Sequence, residues 1–160
     1  MTDNATAQGV HILVLPVFGQ TLVTPVAMIE EVLPVREVKA NPALPDVFAG
    51  QIDWRGQSVG LTSYNRLAGG EMETPESHNR MVVFKPLEGC NPDQQFALLV
   101  SSDPEPRAVG RMDLQKDVNA PTDNPLIISH CTLDGRAVGI PDLAEWRKRL
   151  CFKEPLNNSQ

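Results

Sequence analysis

The chain is poor in aromatic residues, in cysteine and in long apolar runs, and each shortage excludes a class of protein. Phe, Trp and Tyr make up 5% of its 160 residues, so Val, Leu and Ile must fill most of the core. The longest apolar run, Ile12–Phe18, is far too short to span a bilayer, so no direct membrane insertion is expected. No C-x-x-C, H-E-x-x-H or H-x-H pattern is present, so the sequence predicts neither a metal site nor a cofactor.

Two further shortages bear on the cellular compartment. Cys90, Cys131 and Cys151 form an odd, widely spaced set, which is typical of a reducing environment. Residues 1–9 carry neither the basic region nor the apolar core of a signal peptide. The sequence therefore predicts a cytoplasmic protein with flexible tails at 1–9 and 151–160.

Basic residues are fewer than acidic ones. The chain has 14 Lys and Arg against 20 Asp and Glu, which gives a net charge of −6. An acidic protein does not attract phosphate backbones, so no nucleic-acid partner is expected. Neutral or basic protein surfaces are compatible partners.

Proline and glycine are plentiful, which favours β structure. The 14 prolines and 11 glycines are spread along the chain, a pattern typical of many turns and few long helices. We expect an all-β fold of about ten strands, one of them a short strand within residues 107–114. One helix is predicted near the end: Asp142 is its N-cap, Glu145 completes a capping box, and an apolar stripe runs through Leu143, Trp146 and Leu150.

The segment Val47–Leu67 gives the strongest local signal. Apolar residues on both sides of Arg55 and Gly56 predict two strands joined by a tight turn, in which Gly56 supplies a positive φ. Gly50 is assigned to backbone geometry within the first strand, where a glycine marks either a bulge or a close backbone approach. Because successive strand residues point to opposite faces, a buried Trp54 would present Arg55 outward. This geometry suits recognition of a partner better than bond chemistry.

A six-residue string recurs in the second half of the chain. Residues 56–61 read G-Q-S-V-G-L and residues 135–140 read G-R-A-V-G-I, each after a β-like run. The repeat predicts two similar β subdomains, roughly 10–70 and 80–142, with the polar segment 69–79 between them. Chance recurrence is the alternative, because R-A-V-G also occurs at 107–110.

A cysteine nucleophile is the enzymatic alternative. His130 and Cys131 are adjacent in a predicted strand, so their side chains point to opposite faces and cannot act together. A thiol enzyme using Cys131 or Cys90 would need a base brought in by the fold. A buried cysteine is the simpler interpretation, so the sequence predicts no catalytic residue and no enzyme.

The hairpin and the segment before it resemble the CheW-like domain family. Residues 50–61, GQIDWRGQSVGL, occupy the positions of the family's glycine, short apolar strand, N-L-R-G turn and V-V-P-V-V-D-L strand. Residues 25–33, PVAMIEEVL, are similar to its proline turn followed by V-x-E-V-L. Asp53, Trp54 and Gly60 stand where the family usually has Asn, Leu and Pro, which indicates a divergent member.

The resemblance implies one domain over residues 10–150, built of two interlocked, SH3-like, five-stranded β-barrels, with the predicted short helix at its C-terminal end. It also implies a non-catalytic chemosensory adaptor. Its partners would be the cytoplasmic tip of a methyl-accepting chemoreceptor and the regulatory domain of a CheA-type histidine kinase, in a swimming, pilus-type or other array.

The resemblance assigns a partner-binding site as well. Glu31 and Arg55 would form a charged pair near the receptor-facing groove, although from spacing alone they read as independent surface charges. Ile29, Val32 and Trp54 would be apolar positions around that pair. The alternative left open is a small β-barrel that binds a metabolite or a peptide outside any array.

Overall fold

The structure is a computed structural model that describes residues 10–91, 94–110, 112–121 and 123–151. The predicted all-β fold is confirmed, since these residues form eleven strands, two short α-helices and one 3₁₀ turn. The strands are β1 (Val10–Val17), β2 (Gln20–Pro25), β3 (Ile29–Pro34), β4 (Gly50–Trp54), β5 (Gln57–Ser63), β6 (Arg80–Phe84), β7 (Phe96–Val100), β8 (Glu105–Val109), β9 (Leu114–Lys116), β10 (Ile127–Leu133) and β11 (Arg136–Pro141). The helices are α1 (Tyr64–Leu67) and α2 (Leu143–Leu150), and the 3₁₀ turn spans Val26–Met28. The predicted tails lie outside the described residues, except for Cys151.

The strands form two sheets with the same pattern of pairing. One sheet has the order β3-β6-β7-β5-β4 and the other has the order β8-β1-β2-β11-β10-β9. Along the first five strands of each, the successive pairs are antiparallel, antiparallel, parallel and antiparallel. The sheets are therefore two copies of one five-stranded unit, with β9 added to the second copy. We call β3–β7 the continuous unit, and β1, β2 and β8–β11 the split unit.

The two units do not divide the chain where the sequence suggested. The continuous unit uses residues 29–100 without interruption, whereas the split unit uses 105–141 and is completed by 10–25. The predicted boundary at 69–79 lies inside the continuous unit, between α1 and β6, so the division into 10–70 and 80–142 is wrong. The reason is that β2 pairs with β11 in parallel, a long-range pairing that no local sequence signal encodes.

The segment after β3 closes the continuous unit into a barrel. Lys39 and Gln51 exchange two backbone hydrogen bonds of 2.8 and 2.9 Å, which pairs this segment with β4. Arg36 Nη1 donates to the Asp53 carbonyl oxygen at 2.7 Å, and Lys39 Nζ lies 2.8 Å from Asp53 Oδ2. The hydrogen bond to Asp53, and then its negative charge, raises the pKa of Lys39. A Cβ at Gly50 would lie 2.7 Å from the Lys39 carbonyl oxygen, so of the two roles that the sequence left open for Gly50, the structure has the close backbone approach.

A shared apolar core joins the two units. It contains Leu22 of the split unit, Phe84 and Phe96 of the continuous unit, and Trp146 of α2. Phe84 and Phe96 stack with their ring centroids 4.6 Å apart. Trp146 is fully buried, and its Nε1 donates to the Leu126 carbonyl oxygen at 3.0 Å. Two further apolar clusters fill the interior of one unit each.

Helix α2 begins as predicted, although its capping box is only half formed. The Asp142 side chain accepts from the Glu145 backbone N–H at 3.2 Å. The Asp142 N–H donates instead to the Leu126 carbonyl oxygen at 2.8 Å, and the Glu145 carboxylate lies 3.0 Å from Arg149 Nε. The tertiary contact of Asp142 with Leu126 therefore replaces the reciprocal bond that a capping box would make.

Two elements differ from the sequence prediction. The single strand predicted within 107–114 is two strands, β8 and β9, because a turn forms in which the Gly110 N–H donates to Asp113 Oδ2 at 2.6 Å. Helix α1 was not predicted. Its four residues are capped by Ser63, whose hydroxyl accepts from the Arg66 N–H at 3.1 Å.

The repeated string occupies equivalent places in the two units. Residues 56–61 run from the turn into β5, and residues 135–140 run from the turn into β11. Gly60 and Gly139, the fifth residue of each string, both lie in the parallel pair of their unit. The string at 107–110 begins in an outer strand that pairs antiparallel with β1, outside the parallel pair of its unit. Residues 56–61 and 135–140 are therefore the equivalent segments of the two units.

The cysteines are not all free. Cys90 and Cys151 form a disulfide with their Cα atoms 5.5 Å apart, whereas Cys131 is free and buried. The odd count and wide spacing had suggested a reducing environment, in which disulfides are rare. Two cysteines that are distant in sequence meet because α2 packs beside the turn that follows β6. Among the described residues, no helix is long and apolar enough to cross a membrane.

Candidate functional site

Strand β3 carries a bulge that decides which of its side chains share a face. Ile29 pairs with Phe84 and Glu31 pairs with Val83, so one extra residue lies between them. Phe84 belongs to the shared core and Val83 to the interior of the continuous unit. Ile29 and Val32 therefore lie on one face and Glu31 on the other, whereas strict alternation would have placed Ile29 and Glu31 together.

The turn between β4 and β5 presents Arg55 to solvent. Arg55 has φ 50° and Gly56 has φ 80°, the two positive values that a type I′ turn requires. Trp54 is 3% exposed, whereas the Arg55 side chain is 61% exposed, so the predicted arrangement of these neighbours is confirmed. Arginine rarely adopts a positive φ, so the tip is strained and must be held by its surroundings.

Three side chains meet at this tip, and we call Glu31, Trp54 and Arg55 the Trp54 cluster. Trp54 Nε1 donates to Glu31 Oε1 at 2.9 Å, and Arg55 Nη2 lies 3.3 Å from the same oxygen. Arg55 Cζ lies 4.6 Å from the centroid of the Trp54 ring. The contact between Glu31 and Arg55 that the resemblance implied is confirmed, while its role in partner binding stays a prediction.

The Trp54 cluster orients Arg55 more than it stabilises the fold. The side chains of the ion pair are 61% and 41% exposed, so their attraction contributes about 0–1 kcal/mol. An exposed cation–π contact adds about 0.5–1 kcal/mol, and the hydrogen bond from Trp54 adds about 0.5–1.5 kcal/mol. These contributions are small against the stability of a domain, but together they hold a long side chain that would otherwise sample many rotamers.

An exposed aliphatic strip lies on β3, the strand that carries Glu31, and on the 3₁₀ turn directly before it. Val26 and Val32 are each 38% exposed, and Ile29 is half-buried against the shared core. Strand β3 is the outermost strand of its sheet, so the strip lies at an edge. Exposed apolar side chains together with an exposed arginine are typical of protein interaction surfaces. The strip and the Trp54 cluster together form the candidate docking surface.

Two features of this surface were missed by sequence reasoning. Val26 lies on the 3₁₀ turn, none of whose residues is buried, and its place directly after a proline could have indicated exposure. Gln95 connects the hairpin to the bulge: Gln57 Nε2 donates to Gln95 Oε1 at 3.4 Å, and Gln95 Nε2 donates to Glu30 Oε2 at 3.5 Å. No sequence signal identifies Gln95, because only the tertiary fold brings it beside β3.

The candidate nucleophiles are not placed for catalysis. Cys131 is buried with its Sγ 3.7 Å from Ser129 Oγ, and it pairs with Val138, whereas His130 beside it faces the other side of the strand. Cys90 is held in the disulfide. Within the described ranges, no group of three or more His, Cys, Asp or Glu side chains is arranged to hold a metal ion.

Comparison with known proteins agrees with this architecture. The model of the CheW-like domain matches residues 11–149, so the chain belongs to the CheW-like domain family. Its fold is similar to that of the scaffolding protein TtCheW from Thermoanaerobacter tengcongensis, with a TM-score of 0.66 over 84% of this chain and 85% of that one. The two sequences are 15% identical, so this likeness shows the fold alone. No curated protein matches the chain.

Proposed function

We propose that this protein is a non-catalytic chemosensory adaptor that binds a chemoreceptor tip and the regulatory domain of a CheA-type histidine kinase. Membership of the CheW-like family supports the adaptor class. The observation that carries the proposal is the candidate docking surface, in which Arg55 is held by Glu31 of β3, while Val26 and Val32 are exposed directly before that strand and on it. A surface of this kind offers apolar contact area and one directed charge.

The chemistry of this surface suits a helical partner such as a receptor tip. An amphipathic helix would place its apolar side on Ile29 and Val32, which lie on one face because of the bulge. Arg55, which pairs with Glu31 on the other face of β3, would bind a carboxylate or a free carbonyl across the edge of that strand. The kinase domain would then bind elsewhere on the fold, so that both partners are held at once.

Such an adaptor acts by positioning its partners. The conformational bias of a receptor would reach the kinase as a coupling free energy, typically ~1–3 kcal/mol. Single contacts would be weak, and repetition within an array would supply the avidity. The proposal includes a cytoplasmic location at such arrays, whether they serve swimming, pilus-driven movement or another output.

Calorimetric titration against each partner separately tests the proposal. Arg55→Ala and Ile29→Asp are compared with wild type, and each has a matched control on the split unit. Arg136→Ala removes an arginine that is 50% exposed and lies 3.7 Å from Glu105. Ile128→Asp alters an aliphatic residue that is 66% exposed.

We expect saturable binding of both partners, with Arg55→Ala or Ile29→Asp weakening the receptor contact about tenfold, or roughly 1.4 kcal/mol. The thermal transition of Arg55→Ala should stay near that of wild type. Ile29→Asp is measured below its own transition, because Ile29 packs partly against the shared core, and both controls should bind normally. The proposal would be abandoned if neither partner bound at high micromolar concentration. The docking site would be assigned to another surface if the control variants weakened binding as much as the test variants.

The metabolite-binding alternative receives less support. It expected a concave apolar pocket around Trp54, but Trp54 is 3% exposed and its Nε1 is occupied by Glu31. The cavities beside Arg66, beside His130 and beside Met28 are not lined by Trp54. The exposed docking surface therefore favours the adaptor.

A further inference from the structure

Cys90 and Cys151 connect two elements that are far apart in sequence. Cys90 ends the turn after β6, where its N–H donates to the Leu87 carbonyl oxygen at 2.9 Å. Cys151 is the C-cap of α2, where its N–H donates to the Arg147 carbonyl oxygen at 2.8 Å. Their Cα atoms are 5.5 Å apart, within the range of natural disulfides. Both residues are only partly buried, so a small thiol can reach them.

The two elements are the walls of one cleft, which we call the Met28 cleft. Its volume is about 650 Å³. One wall is the turn after β6, with Lys85 and Leu87, and the other is α2, with Leu143 and Arg147. Met28 forms the end of the cleft and is the residue directly before β3, so the cleft adjoins the candidate docking surface.

We propose that Cys90 and Cys151 are a reversible dithiol–disulfide site whose oxidation state sets how firmly the walls of the Met28 cleft are held together, and through them the affinity of the candidate docking surface. The second half of this statement rests on the proposed function. Disulfides in reducing compartments are in general transient and redox-sensing, which agrees with the proposed cytoplasmic location.

The exchange partner is a small disulfide such as oxidised glutathione. One cysteine thiolate attacks it, which forms a mixed disulfide and releases one glutathione thiol. The second cysteine thiolate then attacks the protein sulfur of the mixed disulfide, which closes the bond between Cys90 and Cys151 and releases the second glutathione thiol. The two protein thiols are oxidised, the glutathione disulfide is reduced, and the two protons end on the two glutathione molecules.

The fold can open this bond without unfolding. Helix α2 is anchored upstream by Trp146, which is fully buried and bonded to Leu126. Near the cysteines, Arg147 Nη1 lies 3.4 Å from the Glu88 carbonyl oxygen, and Leu87 and Leu150 both belong to the shared apolar core. Reduction therefore removes the covalent tie between the end of α2 and the turn after β6, while Trp146 and Leu150 keep the helix packed in the core.

The first test does not depend on the proposed function. The protein is equilibrated over a range of reduced-to-oxidised glutathione ratios, and its free thiols are counted by alkylation in denaturant and mass spectrometry. We expect one alkylated cysteine in the oxidised form and all three in the reduced form. The oxidised form should melt about 5–15 °C higher, because the bond constrains the unfolded chain. Cys131→Ala is the control and should keep the same two-thiol transition.

The second test measures receptor-tip binding by the two forms. We expect the oxidised form to bind about three- to tenfold more tightly, because its cleft is already held in shape. Cys90→Ser should bind like the reduced form at every glutathione ratio. If all cysteines are alkylated at every ratio, the redox site is wrong. If the thiol count changes but binding is equal in both forms, the site stands and its control of affinity is overturned. If neither form binds while the thiol titration and melting behave as expected, the proposed function is wrong. The redox site then stands, and its control of receptor affinity is overturned together with the proposed function.

Discussion

The two type I′ hairpins of this protein share one geometry and differ in what they do. Arg55 and Gly56 have φ 50° and 80°, and Asp134 and Gly135 have φ 54° and 78°. In both cases the second strand of the hairpin enters the parallel pair of its unit. Aspartate tolerates a positive φ because its short side chain bonds locally, whereas arginine lacks that compensation. The strain at Arg55 is therefore better explained by what that side chain contacts than by the needs of the turn.

The surroundings of the hairpins support this explanation. Each turn is tied by ion pairs to the outermost strand of its own unit: Arg55 to Glu31 on β3, and Arg136 to Glu105 on β8. Only the continuous unit adds an indole, which lies under the guanidinium and donates to the same carboxylate. In the split unit, Leu133 occupies the place of that tryptophan. The comparison teaches that the two units share one backbone pattern, while of the two hairpins only that of the continuous unit holds an exposed guanidinium against an indole.

The largest expected effect comes from removing the buried residue before each turn. Trp54→Ala and Leu133→Ala should each lower the free energy of unfolding, by about 3–5 and 2–5 kcal/mol respectively, because both side chains are buried. Urea unfolding measures both values. At a temperature where both variants are folded, only Trp54→Ala should weaken partner binding. Equal loss of binding would mean that the two hairpins do not differ in role.

A smaller effect separates the two glycines of the repeated string. A Cβ at Gly60 would lie 2.6 Å from a ring atom of Phe48, whereas a Cβ at Gly139 would lie 2.8 Å from the terminal methyl of Ile127. We expect Gly60→Ala to cost about 1–3 kcal/mol, because an aromatic ring cannot move aside easily, and Gly139→Ala to cost less. Chemical denaturation of both variants checks the order. A larger cost at Gly139 would contradict it.

Glycine at the first turn position should separate function from stability. Arg55→Gly relieves about 1–2 kcal/mol of backbone strain and loses contacts of similar size, so the free energy of unfolding should change by less than about 1 kcal/mol. Receptor-tip binding should nevertheless weaken about tenfold, as expected for Arg55→Ala. Asp134→Gly, the control, loses its contact with Arg107 at 2.8 Å and should bind normally. Retained binding by Arg55→Gly would refute the directed role of Arg55.

The smallest effect concerns the seam between the units. Tyr64 packs in the shared core, and burial raises its pKa above the ordinary 10.0, while the hydrogen bond from Asn124 Nδ2, 2.7 Å from its oxygen, opposes this. Because the folded protein holds the proton more tightly than the unfolded chain, this contribution to stability is present below pH 10 and is lost as pH rises above it. Urea unfolding at about pH 9 and 11 should show a steeper fall for wild type than for Tyr64→Phe. Parallel curves would contradict the buried phenol.

Much of the local structure follows from the sequence because its signals are local. The turn at Gly56, the outward Arg55 and the Asp142 cap are set by backbone preference and by the alternation of strand side chains. The contact between Glu31 and Arg55 is different. Spacing alone favours two independent charges. Only the resemblance to a known family predicted that the two side chains pair, and the structure confirms the contact.

Other features depend on which strands meet. The bulge that places Ile29 and Val32 on one face arises from register with β6, and Gln95 joins the surface only through packing. The same holds for the disulfide, since Cys90 and Cys151 meet where α2 docks. The local sequence around these positions does not predict which distant residue each of them contacts.

The sequence by itself determined an acidic, β-rich chain, with one hairpin built to display Arg55 and one capped helix near its end, because such choices depend on neighbouring residues. Tertiary structure alone decided that residues 10–25 complete the second unit, that β3 bulges beside the hairpin, and that two distant cysteines meet. These outcomes are long-range pairings, whose free energy comes from burying surfaces that become neighbours only in the folded state.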